Sequence, residues 1–329
     1  MKHLFIGGTG NISAACVRYA LSLGHEVVLL NRGNREGVEG TDSVVADIDD
    51  ADAVKRALGD RSFDSISNFI AFTPDAVERD LELFAERCRQ YVFVSSASAY
   101  QKPPRRPVVT ESTPLHNPFW QYSRNKIACE DRLMQAYREQ CFPVTIVRPS
   151  HTYDTILPLP LGGDAKTMLQ RIRDGRPIVV HGDGTSLWTI THCDDFAVAY
   201  VGLLGNPAAI GEAIHITSDE ALTWNQIVDA IGHACGVSDV EKVHVPSDLI
   251  AKLYPHHEGT LLGDKAHSVL FDNTKVKRLV PTFQTNVPFH VGIRRTIAWF
   301  DAQPEPDAEE AATTNAMQDR LIEMMRSLF

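Results

Sequence analysis

Leu4-Phe5-Ile6-Gly7-Gly8-Thr9-Gly10-Asn11-Ile12-Ser13 is the stretch that decides the fold. Three apolar residues make a short buried strand, and a glycine turn follows at once. From Asn11 to about Leu23, the residues Ile12, Cys16, Tyr19, Ala20 and Leu23 fall on one side of a helix. Strand, glycine turn and helix in that order make a phosphate cradle. The glycines let the backbone turn sharply and approach a phosphate, while the helix start offers unpaired N–H groups and the positive end of its dipole. The spacing Gly7-x-x-Gly10-x-x-Ser13 places serine third, a residue still small enough for a helix to pack on a strand. Gly7, Gly8, Thr9, Gly10, Asn11 and Ile12 therefore form the expected dinucleotide turn.

Outward from that turn, apolar and amphipathic segments alternate. Gly24 breaks the chain before a buried strand at His25–Leu30, and further strands are expected at Val44–Ala46, Ser65–Ala71, Tyr91–Ser95 and Val144–Val147. Helices fit Asp50–Leu58, Asp75–Cys88 and Phe119–Gln140. Continuous Val/Ile/Leu runs separated by helices indicate a parallel sheet covered on both faces. The fold class is α/β: a Rossmann doubly wound parallel sheet with a smaller mixed α/β C-terminal substrate domain. The expected division is a dinucleotide-binding domain over 1–155, to which 176–205 return, and a substrate lobe over 156–303. Residues 304–329 hold a linker and an amphipathic helix. That helix, about Thr314–Leu328, carries Met317, Leu321, Met324, Met325 and Leu328 as a stripe that docks on this protein or on a homodimer mate.

Composition bounds the function. Hydrophobic content of 43% and charged content of 22% are ordinary for a soluble globular chain of 329 residues. A formal net charge of −10 argues against a general polyanion binder, so no nucleic-acid partner is expected. Six scattered cysteines without a Cys-x-x-Cys pair read as reduced thiols, with no metal site expected. No apolar run reaches the ~18–20 residues of a membrane span. The expected compartment is the cytoplasm.

The strand ends supply the site. After the second strand, neutral Asn31 stands beside Arg32, where a carboxylate would bind the ribose hydroxyls of NAD. A guanidinium there can hold a 2′-phosphate bidentately, which favours NADP over NAD. Asp47 and Ile48 offer an acceptor and an apolar wall to the adenine, and Asn68, Phe69 and Ile70 end the fourth strand at the cofactor crevice. Ser95, Ser96 and Ser98 bring hydroxyls to the end of the fifth strand, on the edge where open α/β sheets bind ligands. Tyr122 and Lys126, four residues apart, lie one helical turn from each other on one face. An ammonium near a phenol favours phenolate and lowers a pKa normally near ~10, as acid–base catalysis requires.

With Glu111-Ser112-Thr113-Pro114, Val147-Arg148-Pro149, Val180-His181-Gly182-Asp183-Gly184 and Thr191-His192-Cys193-Asp194-Asp195 in order behind these, the chain resembles the extended short-chain dehydrogenase/reductase family. Its members include NAD(P)-dependent sugar epimerases, dehydratases and reductases. The resemblance covers nearly the whole length. It implies that Tyr122 exchanges a proton with a substrate oxygen and that Lys126 binds the nicotinamide ribose and depresses the Tyr122 pKa. Ser96 matches the serine that hydrogen-bonds the same oxygen. Pro149 and His151 fall beside the cofactor, and Ser98, Tyr153 and Trp188 on the substrate side.

The chain departs from that pattern between Asn68 and Tyr91, where it is short, and there resembles an atypical branch that includes chloroplast stem-loop-binding proteins. Trp188 stands where a nucleotide-sugar epimerase has an arginine for the diphosphate; it either stacks on a sugar or nicotinamide face or packs in the core. The expected activity is that of an epimerase/dehydratase-type enzyme moving hydride on a small sugar, nucleotide sugar or related hydroxyl compound. An NADPH-dependent carbonyl reductase is the alternative, and a non-catalytic RNA-binding protein of the same fold a third.

Overall fold

The computed structural model describes residues 1–34 and 36–328. The first half runs β1 (Lys2–Ile6), α1 (Asn11–Ser22), β2 (Glu26–Asn31), β3 (Asp42–Val45), α2 (Ala51–Leu58), β4 (Ser65–Asn68), α3 (Pro74–Phe84), β5 (Tyr91–Val94), β6 (Val108–Val109), α4 (Gln121–Gln140), β7 (Val144–Pro149) and β8 (His151–Tyr153). The second runs α5 (Ala165–Arg173), β9 (Ile178–His181), β10 (Leu187–His192), α6 (Cys193–Leu203), β11 (Ala213–Ile216), β12 (Ala221–Thr223), α7 (Trp224–Ala234), β13 (Lys242–Val245) and α8 (Ser247–Leu253). It ends with α9 (Glu258–Thr260), β14 (Leu270–Phe271), α10 (Thr274–Leu279), α11 (Phe289–Asp301) and α12 (Ala308–Arg326).

Seven strands form one parallel sheet in the order β11-β7-β5-β4-β1-β2-β3. Strand direction of travel reverses between β1 and β4, which opens a crevice at their carboxyl ends, the place where this topology binds dinucleotides. Alternation along β1 shows why both faces are covered. Leu4 and Ile6 bury against α2, α3 and α4, while Phe5 buries against α1 and α6. Each strand is thus sealed twice, and the Val/Ile/Leu runs follow from that.

The chain returns to the sheet through α6, packed on α1, and through β11 on the sheet edge beside β7. The segment between them and β7 does not all return. β9 pairs with β13, and β10 lies between β8 and β12, outside the large sheet. A second lobe forms around Met168, Leu169, Ile172, Trp188, Trp224, Ile227 and Ile293, continued by Leu161, Val179, Val245, Leu261, Met317 and Leu321.

The last helix begins at Ala308, earlier than the apolar stripe alone predicts, because its first turn is an exposed segment capped by Asp307 and carries no stripe. Asp307 accepts from the amides of Glu309 and Glu310. The stripe docks on this chain. Met317, Leu321 and Ile322 are buried, Gln318 accepts from the Val179 amide at 2.8 Å, and Leu328 is exposed. No described helix is long and apolar enough to cross a membrane.

Candidate active site

The glycine turn follows β1 directly. Gly7 has φ +78°, and a Cβ there would lie 2.6 Å from Ile70 Cγ2; one on Gly8 would lie 2.5 Å from Leu29 Cδ2. Both positions require glycine, one for conformation and space, the other for space alone. Ser13 at the third small position does more than fit. Its hydroxyl donates to Gly7 O at 2.7 Å and accepts from Gly10 N at 2.9 Å, tying the turn to the start of α1. Asn11 holds the loop after β8, donating to Thr152 O and accepting from Thr155 N at 2.9 Å. The side chain of Asn11 is therefore committed to protein, and what remains for a phosphate is the backbone.

At the end of β2, Asn31 Oδ1 accepts from Gly33 N at 2.8 Å, and Arg32 is exposed. Asp47 is exposed and Ile48 buried beyond β3. Asn68 is fully buried, accepting from Ile70 N at 2.8 Å and donating to Asp80. Asp80 also receives Tyr91 and Arg79, and burial raises its carboxyl despite these partners. Asn68 thus shapes the crevice floor. Phe69 stacks on Phe5 in the sheet face, while Ile70 is 42% exposed and presents an apolar lip.

The fifth strand end sorts its three serines. Ser95 donates to Glu130, which also takes Arg148 Nε at 3.0 Å in a buried ion pair. Ser96 opens a short 3-10 turn and accepts from Ser98 N at 3.1 Å; its hydroxyl meets that of Ser98 at 2.8 Å, and Ser98 in turn meets Ser123 at 2.7 Å. Glu130 is one turn beyond Lys126 on α4. The Ser95–Glu130–Arg148 network therefore pins the serine strand end to the helix that carries Tyr122 and Lys126.

Lys126 is buried, and its ammonium donates to Ala71 O and Val94 O at 2.7 Å each. Burial brings its pKa down to about 8. The Tyr122 phenol is pushed above its ordinary value, chiefly by burial, with the Ser96 hydroxyl pulling it back and the Asp264 carboxylate adding to the rise. This corrects the expectation that Lys126 depresses the Tyr122 pKa. The ammonium lies 5.8 Å from the Tyr122 ring and is engaged by two carbonyls, so burial, with the Asp264 carboxylate, favours the neutral phenol.

Ser96, Ser98, Tyr122, Pro149, His151 and Trp188 converge on one cleft of about 270 Å³, which Ile12 of α1 also lines. His151 packs against Trp188 at 4.7 Å between ring centroids, and burial holds it neutral, down to about 3. Trp188 packs in the core, 4% exposed and against Trp224, and also lines the cleft. Tyr153 is not brought there. It is fully buried between His192 and Phe289, on α11's close-packed Gly292. Asp195 accepts from the amides of Asn286 and Val287 at 3.0 Å each and is structural.

The sequence reading missed Trp120, Asn117 and Asp264. Trp120 and Asp264 line the cleft, and Asn117 bridges Ser98 O and Gly263 O at 2.8 Å each. A signal was present in Gly259-x-x-x-Gly263. A Cβ on Gly259 would meet Trp120 at 2.2 Å, so these glycines mark a close approach.

A parallel seven-stranded Rossmann sheet, with Ser96 and Tyr122 on one cleft and Lys126 one helical turn from Tyr122, fits a nicotinamide-dependent enzyme class. The pattern of the NAD dependent epimerase/dehydratase family matches residues 4–217, and the chain belongs to that family. It is similar to 2'-dehydrokanamycin reductase of Streptomyces kanamyceticus, 27% identical over 86% of this chain and 80% of that protein. It is also similar to the chloroplast stem-loop binding protein of 41 kDa b of Arabidopsis thaliana, 28% identical over 74% of this chain and 65% of that one. Among solved structures, dTDP-glucose 4,6-dehydratase of Bacillus anthracis in complex with NAD shares the fold, with a TM-score of 0.72, 20% identity, and 92% and 96% of the two chains covered.

Proposed function

We propose that this chain transfers hydride between a nicotinamide cofactor and a secondary carbinol or ketone on a small sugar-like compound. The observation that carries this is the convergence of Ser96 and Tyr122 on one cleft, with Lys126 one turn below Tyr122 and the dinucleotide turn at the cleft's end. The cofactor supplies the hydride chemistry, and the protein supplies position and proton transfer. Tyr122 gives its phenolic proton to the carbonyl oxygen during reduction and takes it back during oxidation. A phenol kept neutral is suited to the first direction. Ser96 hydrogen-bonds the same oxygen, and Lys126 has one N–H left beyond its two carbonyls for a ribose hydroxyl. Gly7–Gly10 and the start of α1 hold the pyrophosphate, and Arg32 the 2′-phosphate of NADP.

Within the family, net reduction is favoured over epimerisation of a nucleotide sugar, because among the described residues no arginine or lysine lines the cleft to take a diphosphate. Epimerase chemistry remains the second reading, supported by 24% identity to UDP-glucose 4-epimerase of Lactobacillus helveticus over 91% of that enzyme. Mass spectrometry of the nucleotide released from the purified protein, with an assay of NADPH consumption on ketoses, tests the two. An exchangeable NADP(H) with net consumption supports reduction. A retained NAD with none overturns it.

A further inference from the structure

Resting on that hydride-transfer reading, we infer that Asp264 is the substrate's anchor: its carboxylate seats an ammonium group carried by the substrate, so the cleft selects an amino-substituted sugar over a phosphorylated one. Among the described residues Asp264 is the one charged side chain that lines the cleft. It sits on the turn Leu261–Lys265, wound with π-type hydrogen bonding, a local geometry concentrated at functional sites. The turn is fixed from two sides. Asn117 ties Gly263 O to Ser98 O at 2.8 Å each, which locks Asp264 to the loop that carries Ser96. Gly259 and Gly263 press against Trp120, which lines the same cleft.

The carboxylate has an open face. Lys102 lies beneath it, deeply buried, with its ammonium 3.6 Å away, beyond ordinary hydrogen-bond distance. Among the described residues the Asp264 carboxylate accepts no hydrogen bond, and its side chain is 24% exposed. Lys102 offsets the charge from the buried side and leaves the cleft side to be satisfied by a ligand. Trp120 lines the cleft as well, and an aromatic ring beside a carboxylate suits an ammonium. Lys265, the next residue along, is not a lining residue; its ammonium donates to Leu159 O and lies over Trp188 and Trp224. A phosphate entering the cleft would meet the Asp264 carboxylate, and no cation lines the cleft among the described residues.

The test is titration calorimetry on the full chain saturated with NADPH, using glucosamine, glucose, N-acetylglucosamine and UDP as probes. Glucosamine, below the pKa of its amine, is expected to bind on the order of tenfold more tightly than glucose or N-acetylglucosamine, with UDP weakest. Asp264→Asn should erase that preference while NADPH affinity is kept, and Tyr122→Phe should leave it intact. Because N-acetylglucosamine removes the charge from the ligand, the comparison holds in the unaltered protein even if Asp264→Asn fails to fold. Glucosamine binding no better than glucose, a preference that survives Asp264→Asn, or tightest binding by UDP would each overturn the inference. Calorimetry reads binding alone, so failure here is separate from failure of the hydride-transfer reading, which the turnover of Tyr122→Phe decides.

Discussion

At one end of the cleft, the glycine turn, Ser96, Tyr122 and Lys126 stand on the ends of β1 and β5 and on α4, all sealed into the two faces of one sheet. At the other end, Asp264, Trp120 and Trp188 come from a turn, a loop and a small-sheet strand, joined by Asn117 and by two glycines. The first end is rigid because a shared core fixes every element; the second is held by a few specific contacts. On the proposed reading, chemistry that must keep one geometry belongs to the former and substrate selection to the latter, where loops can change without unfolding the sheet.

If the sheet end is the rigid one, removing a single buried charge partner there should cost most. Glu130→Ala leaves Arg148, 5% exposed, without its carboxylate and is expected to lower stability by about 3–5 kcal/mol, read by denaturant unfolding. A loss below about 1 kcal/mol would break the contrast.

Acid should act on both regions in one direction. Burial lowers His3 at the foot of the sheet to about 4, and His151 and His181 beside the second lobe's tryptophans to about 3. An unfolded histidine titrates near ~6.5, so below that value the unfolded chain binds protons that the folded chain refuses. Stability contributed by these neutral rings is full above about pH 6.5 and is lost as pH falls toward 4. Melting temperatures measured across that range should drop, and His181→Leu should flatten the slope, since its Nε2 has no partner to lose.

The cofactor preference is a smaller effect at an exposed position. Arg32→Ala should weaken NADPH relative to NADH by about tenfold in KM, the loss of a charge-assisted phosphate contact. Equal changes for both cofactors would remove Arg32 from the 2′-phosphate. Smallest of all is Arg173→Ala in the second lobe. Its ion pair with Asp301 is half-exposed, and its loss should shift stability by under about 1 kcal/mol.

Much of the sheet end was legible in the chain. The glycine turn, the runs of β1, β4, β5 and β7, and the Tyr122–Lys126 pair each follow from short-range periodicity or spacing, which the sequence displays directly. Even there the electrostatics were not legible. That Lys126 would be held by Ala71 O and Val94 O depends on strand ends far away in sequence. Tyr153 was misplaced because nothing local reveals that Gly292 and Phe289 close over it. Asp264 was invisible for the same reason: it is one acidic residue in a glycine-containing segment until Asn117 draws that segment beside Ser98. The start of α12 was missed because a helix turn facing solvent carries no apolar signature.

The central claim is that Tyr122 moves the proton that accompanies hydride transfer. Its most direct measurement is kcat for Tyr122→Phe against the unaltered enzyme, followed as oxidation of reduced nicotinamide on the ketone that the unaltered enzyme turns over, with NADPH affinity measured in parallel. A fall in kcat of about 10²–10⁴-fold with cofactor affinity unchanged is the expected result. Turnover equal to that of the unaltered enzyme would contradict the account.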